Sequence, residues 1–426
     1  MLNLRDVWNE KYVEVKKLKL KSSVFSLITA SEKQFFTLDE SLFSKHPFQQ
    51  NDFLDALSNG LFKQVFLEPG EFSAKSFRKD SSTIQGDAGV VVNHFARMGC
   101  EAILYSPYLA QGDLLEKKVK IPSIVKGKFS LGSLKNESGV TDFEVKYAMG
   151  QKVSVGGKVI QAPRSNKVLF KTNRSFEFIP EELLKKGKKQ LSAKVIFLSG
   201  FEWVSEKKQL KDLEKQLALL PKTFIHWEYS PLQEKVAKDL LPLVLKHVDS
   251  IALNERELID VLNLIGLKAL SKEIEAKENA FTIYQGCLKL LEKFKLKRVH
   301  CHNLGYHVCV LSKKMNPDKT RDALTAASLM ACVAAEKNTT SPIDFKNAVY
   351  EVSETGLNQV WIFESGIDPL LPKKHSSKDR KAFLARGWVE LKDYYAVIVP
   401  TPIVQAKVFD GLGAIASATA LGFEKS

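Results

Sequence analysis

Two glutamates, one asparagine and two glycine turns hold the chemistry that this sequence could perform. Glu228 closes His226-Trp227-Glu228, and Glu257 closes Asn254-Glu255-Arg256-Glu257. Asp410-Gly411-Leu412-Gly413-Ala414 opens a run of small residues, and Gln85-Gly86-Asp87-Ala88-Gly89 opens another helical pattern. Glycines at a helix start present free backbone N–H groups at the positive end of the helix dipole, which suits an anion such as a phosphate. Two carboxylates beside such a turn suit Mg²⁺, which takes one or two carboxylates, waters and substrate phosphates. Taken singly, each motif has a plainer reading. Glu228 could be a solvated residue before a helix, Glu257 a favourable first-turn charge, and Gly-x-Gly an ordinary turn.

The elements around these residues favour the chemical reading. Val24 to Thr29, Ala102 to Tyr105, Ala193 to Leu198, Thr223 to Ile225, Ser250 to Leu253, Arg298 to His302 and Tyr395 to Pro400 read as apolar strands. Most are followed by helical patterns, including a predicted helix opened by Ser230-Pro231-Leu232-Gln233 and a long one over 270–295. The alternation predicts an α/β protein with a large, mostly parallel central sheet flanked by helices. Ser199-Gly200, His226-x-Glu228, Asn254-x-x-Glu257 and Gly411-x-Gly413 each come at or just beyond a strand end, where such sheets bind ligands. Between 120 and 180 the pattern becomes short alternating runs with Gly and Lys, predicting a smaller, antiparallel, β-rich lid with a turn at Gly156-Gly157. The expected division is a large domain of about 1–29, 81–120 and 181–426 and a lid of about 30–80 and 121–180.

Composition narrows the class. A hydrophobic content of 44% with 26% charged residues fits an ordinary globular chain. No apolar run is long enough to span a bilayer, and Met1 to Tyr12 lacks the apolar core of a signal peptide, so a cytoplasmic protein is expected. Five scattered cysteines without a C-x-x-C pair read as buried thiols. The net charge of +14 could attract anionic metabolites or nucleic acid, but the lysines form short dispersed clusters without interleaved aromatics. A solvated basic surface is the better reading, and nucleic acid is not expected as a partner. His300 and His302 point to one face of their strand; with no third ligand, core or site-lining histidines are expected rather than a zinc pair.

At these residues the chain resembles the ADP-dependent sugar kinases of archaea, the glucokinase and phosphofructokinase family with a ribokinase-like fold. The resemblance is carried by Ala162-Pro163-Arg164-Ser165-Asn166-Lys167, Ser199-Gly200-Phe201, His226-Trp227-Glu228, the stretch from Val248 to Glu257, Arg298 to His302 and Val399-Pro400-Thr401. It implies ADP as donor and Mg²⁺ held through water by Glu228 and Glu257. It places Asn254, Gly411 and Gly413 at the nucleotide. The sugar-contact turn falls on Gly86 and Asp87, with Arg164 as a further substrate candidate.

The sequence departs from the family at two places. The family's anion turn ends in an aspartate that takes the sugar hydroxyl's proton; here that position is Ala414. Loss of such a base costs roughly 10²- to 10⁴-fold in rate. Asp410 stands on the other side of the turn. The family's early sugar-gripping Asn and Asp residues are also missing from Thr29-Ala30-Ser31-Glu32-Lys33-Gln34, where Lys33 takes a carboxylate position and becomes a candidate handle for an anionic acceptor. Classical phosphorylation of a sugar or sugar phosphate is therefore expected to be impaired or absent. The alternative is a non-catalytic nucleotide-binding or regulatory relative, with which a protein partner would be compatible.

Overall fold

The computed structural model describes residues 3–37, 50–59, 61, 63–67, 81–109, 114–133, 140–155, 158–371, 376–407 and 411–426. Its strands are β1 (Ser23–Leu27), β2 (Ser31–Thr37), β3 (Lys63–Leu67), β4 (Ser81–Gln85), β5 (Glu101–Tyr105), β6 (Val119–Val125), β7 (Lys128–Gly132), β8 (Thr141–Tyr147), β9 (Lys152–Val155), β10 (Lys158–Gln161), β11 (Asn166–Thr172), β12 (Val195–Leu198), β13 (Phe224–Glu228), β14 (Ser250–Leu253), β15 (Arg298–His302), β16 (Tyr306–Ser312), β17 (Trp388–Glu390) and β18 (Tyr394–Pro400).

Eleven of them form one sheet in the order β17-β18-β16-β15-β14-β13-β12-β1-β5-β6-β7. The block from β15 to β6 is parallel throughout, and the strands beyond it at either edge are antiparallel. β12 and β14 are buried along their whole length, as expected of parallel strands covered on both faces. β18 pairs antiparallel to β16, itself antiparallel to β15, so β18 points the same way as β13 and β14. The chain therefore leaves β1, β12, β13, β14, β15 and β18 at one edge of the sheet.

A five-stranded sheet, β3-β11-β8-β2-β4, forms the smaller body, and β9 and β10 form a separate hairpin. This sheet is mixed rather than antiparallel: β8 runs parallel to β2, and β11 to β3. Two placements differ from the segments expected. β4 lies in the smaller sheet, and β6 and β7 extend the larger one. The reason is register. Ser31 to Phe35 pairs with Ser81 to Gln85, while Ala102 and Ile103 carry Val119 and Lys120 beside them. The turn at 156–157 lies outside the described residues.

Two helix starts also differ. The helix expected from Ser230 begins at Glu234 without a side-chain cap. The long helix over 270–295 is two, Lys268–Ala276 and Ala280–Phe294, because Asn279 and Thr282 cap the second reciprocally.

The chain crosses between the two sheets at Ile28-Thr29-Ala30. Ile28 has φ +89°, an uncommon conformation for a β-branched residue. The turn is held by bonds from Ile28 N–H to Tyr105 O at 2.8 Å and from Gly89 N–H to Thr29 O at 3.1 Å. Gly86, with φ +81°, starts the helix Asp87–Arg97 against this crossover; a Cβ there would lie 2.5 Å from Thr29 O. Only glycine fits.

Candidate active site

Asp87, Glu228 and Glu257 converge at the carboxyl edge of the large sheet. Glu228 ends β13 and is buried. His226 Nε2 lies 3.3 Å from its Oε2, and His226 Nδ1 lies 3.0 Å from Ser250 Oγ. Glu257 belongs to the first turn of the helix Glu255–Leu264 and accepts a bond from Asn254 N–H at 2.8 Å. Asn254 Oδ1 in turn accepts from Glu257 N–H at 2.9 Å. This capping box fixes one carboxylate oxygen of Glu257, and the side chain remains partly exposed at the strand end. Asp87 is the first residue of the helix begun by Gly86.

All three carboxyls are raised, chiefly by burial. Burial holds Glu228 well above the usual carboxylate range, and the charges of Asp87 and Glu257 add to this. Glu257 is pushed up to about 8, chiefly by desolvation and then by Asp87 and two other acids. Asp87 is pushed up to about 7 by desolvation and by Glu202. The neighbouring histidines bring no compensating charge: burial drives His226 well below its ordinary value and His302 to about 4. Arg298 is fully buried and paired with Glu424 at 3.0 Å. The site is acidic and short of a cation.

That imbalance fits Mg²⁺. Among the described residues no three His, Cys, Asp or Glu side chains are close enough to ligate one ion directly. The donor set offers carboxylate oxygens, the hard ligands that Mg²⁺ takes, and Mg²⁺ usually keeps several of its waters.

The anion turn adjoins the carboxylates. Gly411 caps the helix Leu412–Glu424 with φ +75°. The first backbone bond of that helix runs from Ile415 N–H to Gly411 O at 3.0 Å, so the N–H groups of Leu412, Gly413 and Ala414 precede the ladder. A Cβ on Gly411 would meet Val90, one turn beyond Asp87, at 3.4 Å. Ala414 is buried in the cluster with Val91, Phe95 and Ala418. Asp410 lies outside the described residues.

Two expected substrate residues, Lys33 and Arg164, lie in or next to strands of the smaller sheet. Lys33 is buried on β2, with Nζ 3.1 Å from Glu144 Oε2, which Lys167 also reaches at 3.1 Å. Glu144 sits diagonally across from Lys33 on β8, and its burial requires the cation. Lys33 is thus engaged by Glu144 within the smaller sheet. Arg164 is exposed before the start of β11. Lys171, whose charge acts on Asp87, is five residue steps beyond Asn166, about 17 Å along an extended strand.

Glu202 and Arg174 were not singled out from sequence. Glu202 follows Gly200-Phe201 and is raised by desolvation. Arg174 binds both oxygens of Asp142 at 2.7 Å and packs over Trp203 and Tyr108, joining the smaller sheet to the larger. For Glu202 the signal was its place after a strand; Arg174 had none.

The raised carboxyls set a pH dependence. Between about pH 4.5 and 8 the native protein keeps protons on Glu257 that the unfolded chain has released, so this residue lowers stability as pH rises. Buried histidines act in the opposite direction below about pH 6.5. A difference measurement removes them. Glu257→Gln is expected to raise the metal-free Tm relative to the parent, with a gain that grows from pH 5 to 8. A gain independent of pH would show that Glu257 ionises normally.

The strand-end acids, anion turn and two-sheet architecture define an α/β protein of the ribokinase-like fold. The family model described as "ADP-specific Phosphofructokinase/Glucokinase conserved region" matches residues 66–423. The chain belongs to this family. It is 24% identical over 376 residues to an ADP-specific phosphofructokinase of Methanosarcina acetivorans, covering 80% of this chain and 75% of the relative. To an ADP-dependent glucose/glucosamine kinase of Pyrococcus furiosus it is 25% identical over 383 residues, covering 86% and 81%. The structure of the last common ancestor of ADP-dependent phosphofructokinases from Methanosarcinales shares the fold, with a TM-score of 0.82 and 22% identity, covering 99% of this chain and 98% of the other. An ADP-dependent kinase solved with fructose-6-phosphate and ADPβS gives a TM-score of 0.77 at 22% identity, covering 100% and 98%. Among the described residues no helix is long and apolar enough to cross a membrane.

Proposed function

We propose that the protein binds Mg²⁺-ADP at the carboxyl edge of its large sheet and is impaired in passing the phosphoryl group to a classical sugar or sugar phosphate. The observation that carries the impairment is Ala414, a buried methyl group at the third position of the anion-turn helix. A methyl group accepts no proton. The donor half is favoured by the N–H groups of Leu412 to Ala414, which precede the helix ladder and have no acceptor among the described residues, close to Glu228, and a structural neighbour was solved with ADPβS and fructose-6-phosphate. Glu228 and Glu257 would hold Mg²⁺ through its waters, and the backbone N–H groups would hold the phosphate. Bound Mg²⁺ would supply neutralisation of charge on the phosphate oxygens.

Asp87 favours a second reading, a kinase active on another acceptor. Its charge acts on Glu228 and Glu257, its helix packs against the anion turn at Val90, and its carboxyl could take a hydroxyl proton in place of residue 414.

Titration calorimetry with ADP, ATP and AMP, each with Mg²⁺, tests the donor half. An assay of AMP release over a broad panel of sugars and sugar phosphates tests the acceptor half. Mg²⁺-ADP binding with no AMP above a Glu257→Ala control supports the first reading. AMP release that Asp87→Asn abolishes supports the second. Absence of nucleotide binding overturns both.

A further inference from the structure

We infer that His302 is a phosphate-contacting residue of the donor site, its Nε2–H donating to the distal phosphate of the nucleotide held at the anion turn. The inference rests on the Mg²⁺-ADP reading above. His302 ends β15, so its side chain emerges at the edge where Glu228 and the last helix begin to meet. Its Nε2 faces the turn so closely that a Cβ on Gly413 would lie 2.6 Å away. The same nitrogen is 4.0 Å from Glu228 Oε1, and the side chain keeps 16% of its surface exposed. It therefore stands between the anion turn and the carboxylate proposed for the metal, and it is not fully buried.

The hydrogen-bond pattern selects the tautomer. His302 Nδ1 is buried and has no hydrogen-bond partner among the described residues. A phosphate oxygen only accepts, so a bond to it needs the proton on Nε2. The packing also accounts for glycine at 413: a side chain there would displace the imidazole from the turn. From sequence His300 and His302 are core or site-lining histidines alike; the approach of His302 to Gly413 separates it from His300, whose Nε2 lies 2.8 Å from His307 Nδ1.

AMP lacks the distal phosphate, which makes the ratio of ADP to AMP affinity the readout. Calorimetric titration of Mg²⁺-ADP and of AMP into the parent, His302→Ala and His302→Gln tests the assignment. His302→Ala is expected to weaken Mg²⁺-ADP about tenfold, as for loss of one hydrogen bond to a charged group, and to leave AMP unchanged. His302→Gln retains an amide donor and should recover part of the loss. Equal weakening of both nucleotides would reduce His302 to a packing role and overturn the inference, as would unchanged ADP affinity. If the alanine variant does not fold, the ratio in His302→Gln decides by the same criterion: an unchanged ratio overturns the inference. A parent that binds AMP but not Mg²⁺-ADP sinks the donor-site reading itself and this inference with it. Parent binding with an unchanged variant sinks only the inference.

Discussion

Glu228→Gln is expected to weaken Mg²⁺-ADP about 100-fold and, without metal, to make the protein more stable. The two effects share one cause. Glu228 is buried at the end of β13, and its carboxyl is raised by desolvation and by the charges of Asp87 and Glu257. Holding it ionised therefore costs stability whenever no cation is present. With its carboxyl pKa above the unfolded value, the native residue retains a proton that the unfolded chain loses as pH rises, so stability falls across that interval. Glutamine keeps the volume and an amide oxygen for His226 Nε2 but removes the charge. Metal affinity then falls, since even groups supporting a metal site alter affinity 10- to 100-fold. The measurement is a pair of titrations, ADP with and without Mg²⁺, beside metal-free melting at pH 8. Lower Tm with unaltered Mg²⁺-ADP affinity would mean that Glu228 is a structural acid.

The difference between what the sequence disclosed and what it hid follows from chain geometry. Glu228 and Glu257 were legible because strand ends and helix starts are written locally, in apolar runs followed by polar clusters. Glu257 is a helix cap whose carboxyl is also raised by burial and by Asp87, so the capping role and the proposed metal role do not compete. Asp87 was legible as part of a glycine turn but not as the third acid, because its approach depends on the crossover at Ile28 to Ala30 and on Gly86 packing against Thr29. The ion pair of Lys33 was hidden for a related reason. Its partner Glu144 is 111 residues away, and only the pairing of β2 with β8 brings them to one face. The sheet memberships of β4 and β6 likewise depend on pairings that local periodicity does not encode.

The largest stability effect is expected at Arg298. This guanidinium begins β15 in the core, wholly buried, with Nε 3.0 Å from Glu424 Oε1 in the last helix. Nη1 reaches Ser250 Oγ at 3.4 Å, and Ser250 contacts His226, which contacts Glu228. A polar chain thus runs through the core from the last helix to the site. Arg298→Met keeps much of the volume but leaves the Glu424 carboxylate without its cation, and breaking a buried pair from one side costs about 3–5 kcal/mol. Removing both charges should cost far less, since an apolar pair of similar size replaces a desolvated ion pair without leaving an orphan. Urea unfolding of Arg298→Met, Glu424→Leu and the double variant measures this directly. Recovery in the double variant identifies the penalty as an unpaired charge. A double variant as unstable as the sum of the singles would show instead that the two side chains are held by packing and contribute independently. If the double variant folds well but binds Mg²⁺-ADP less tightly than the parent, the pair orients Ser250 and His226 behind Glu228, and its service to the site exceeds its service to the fold.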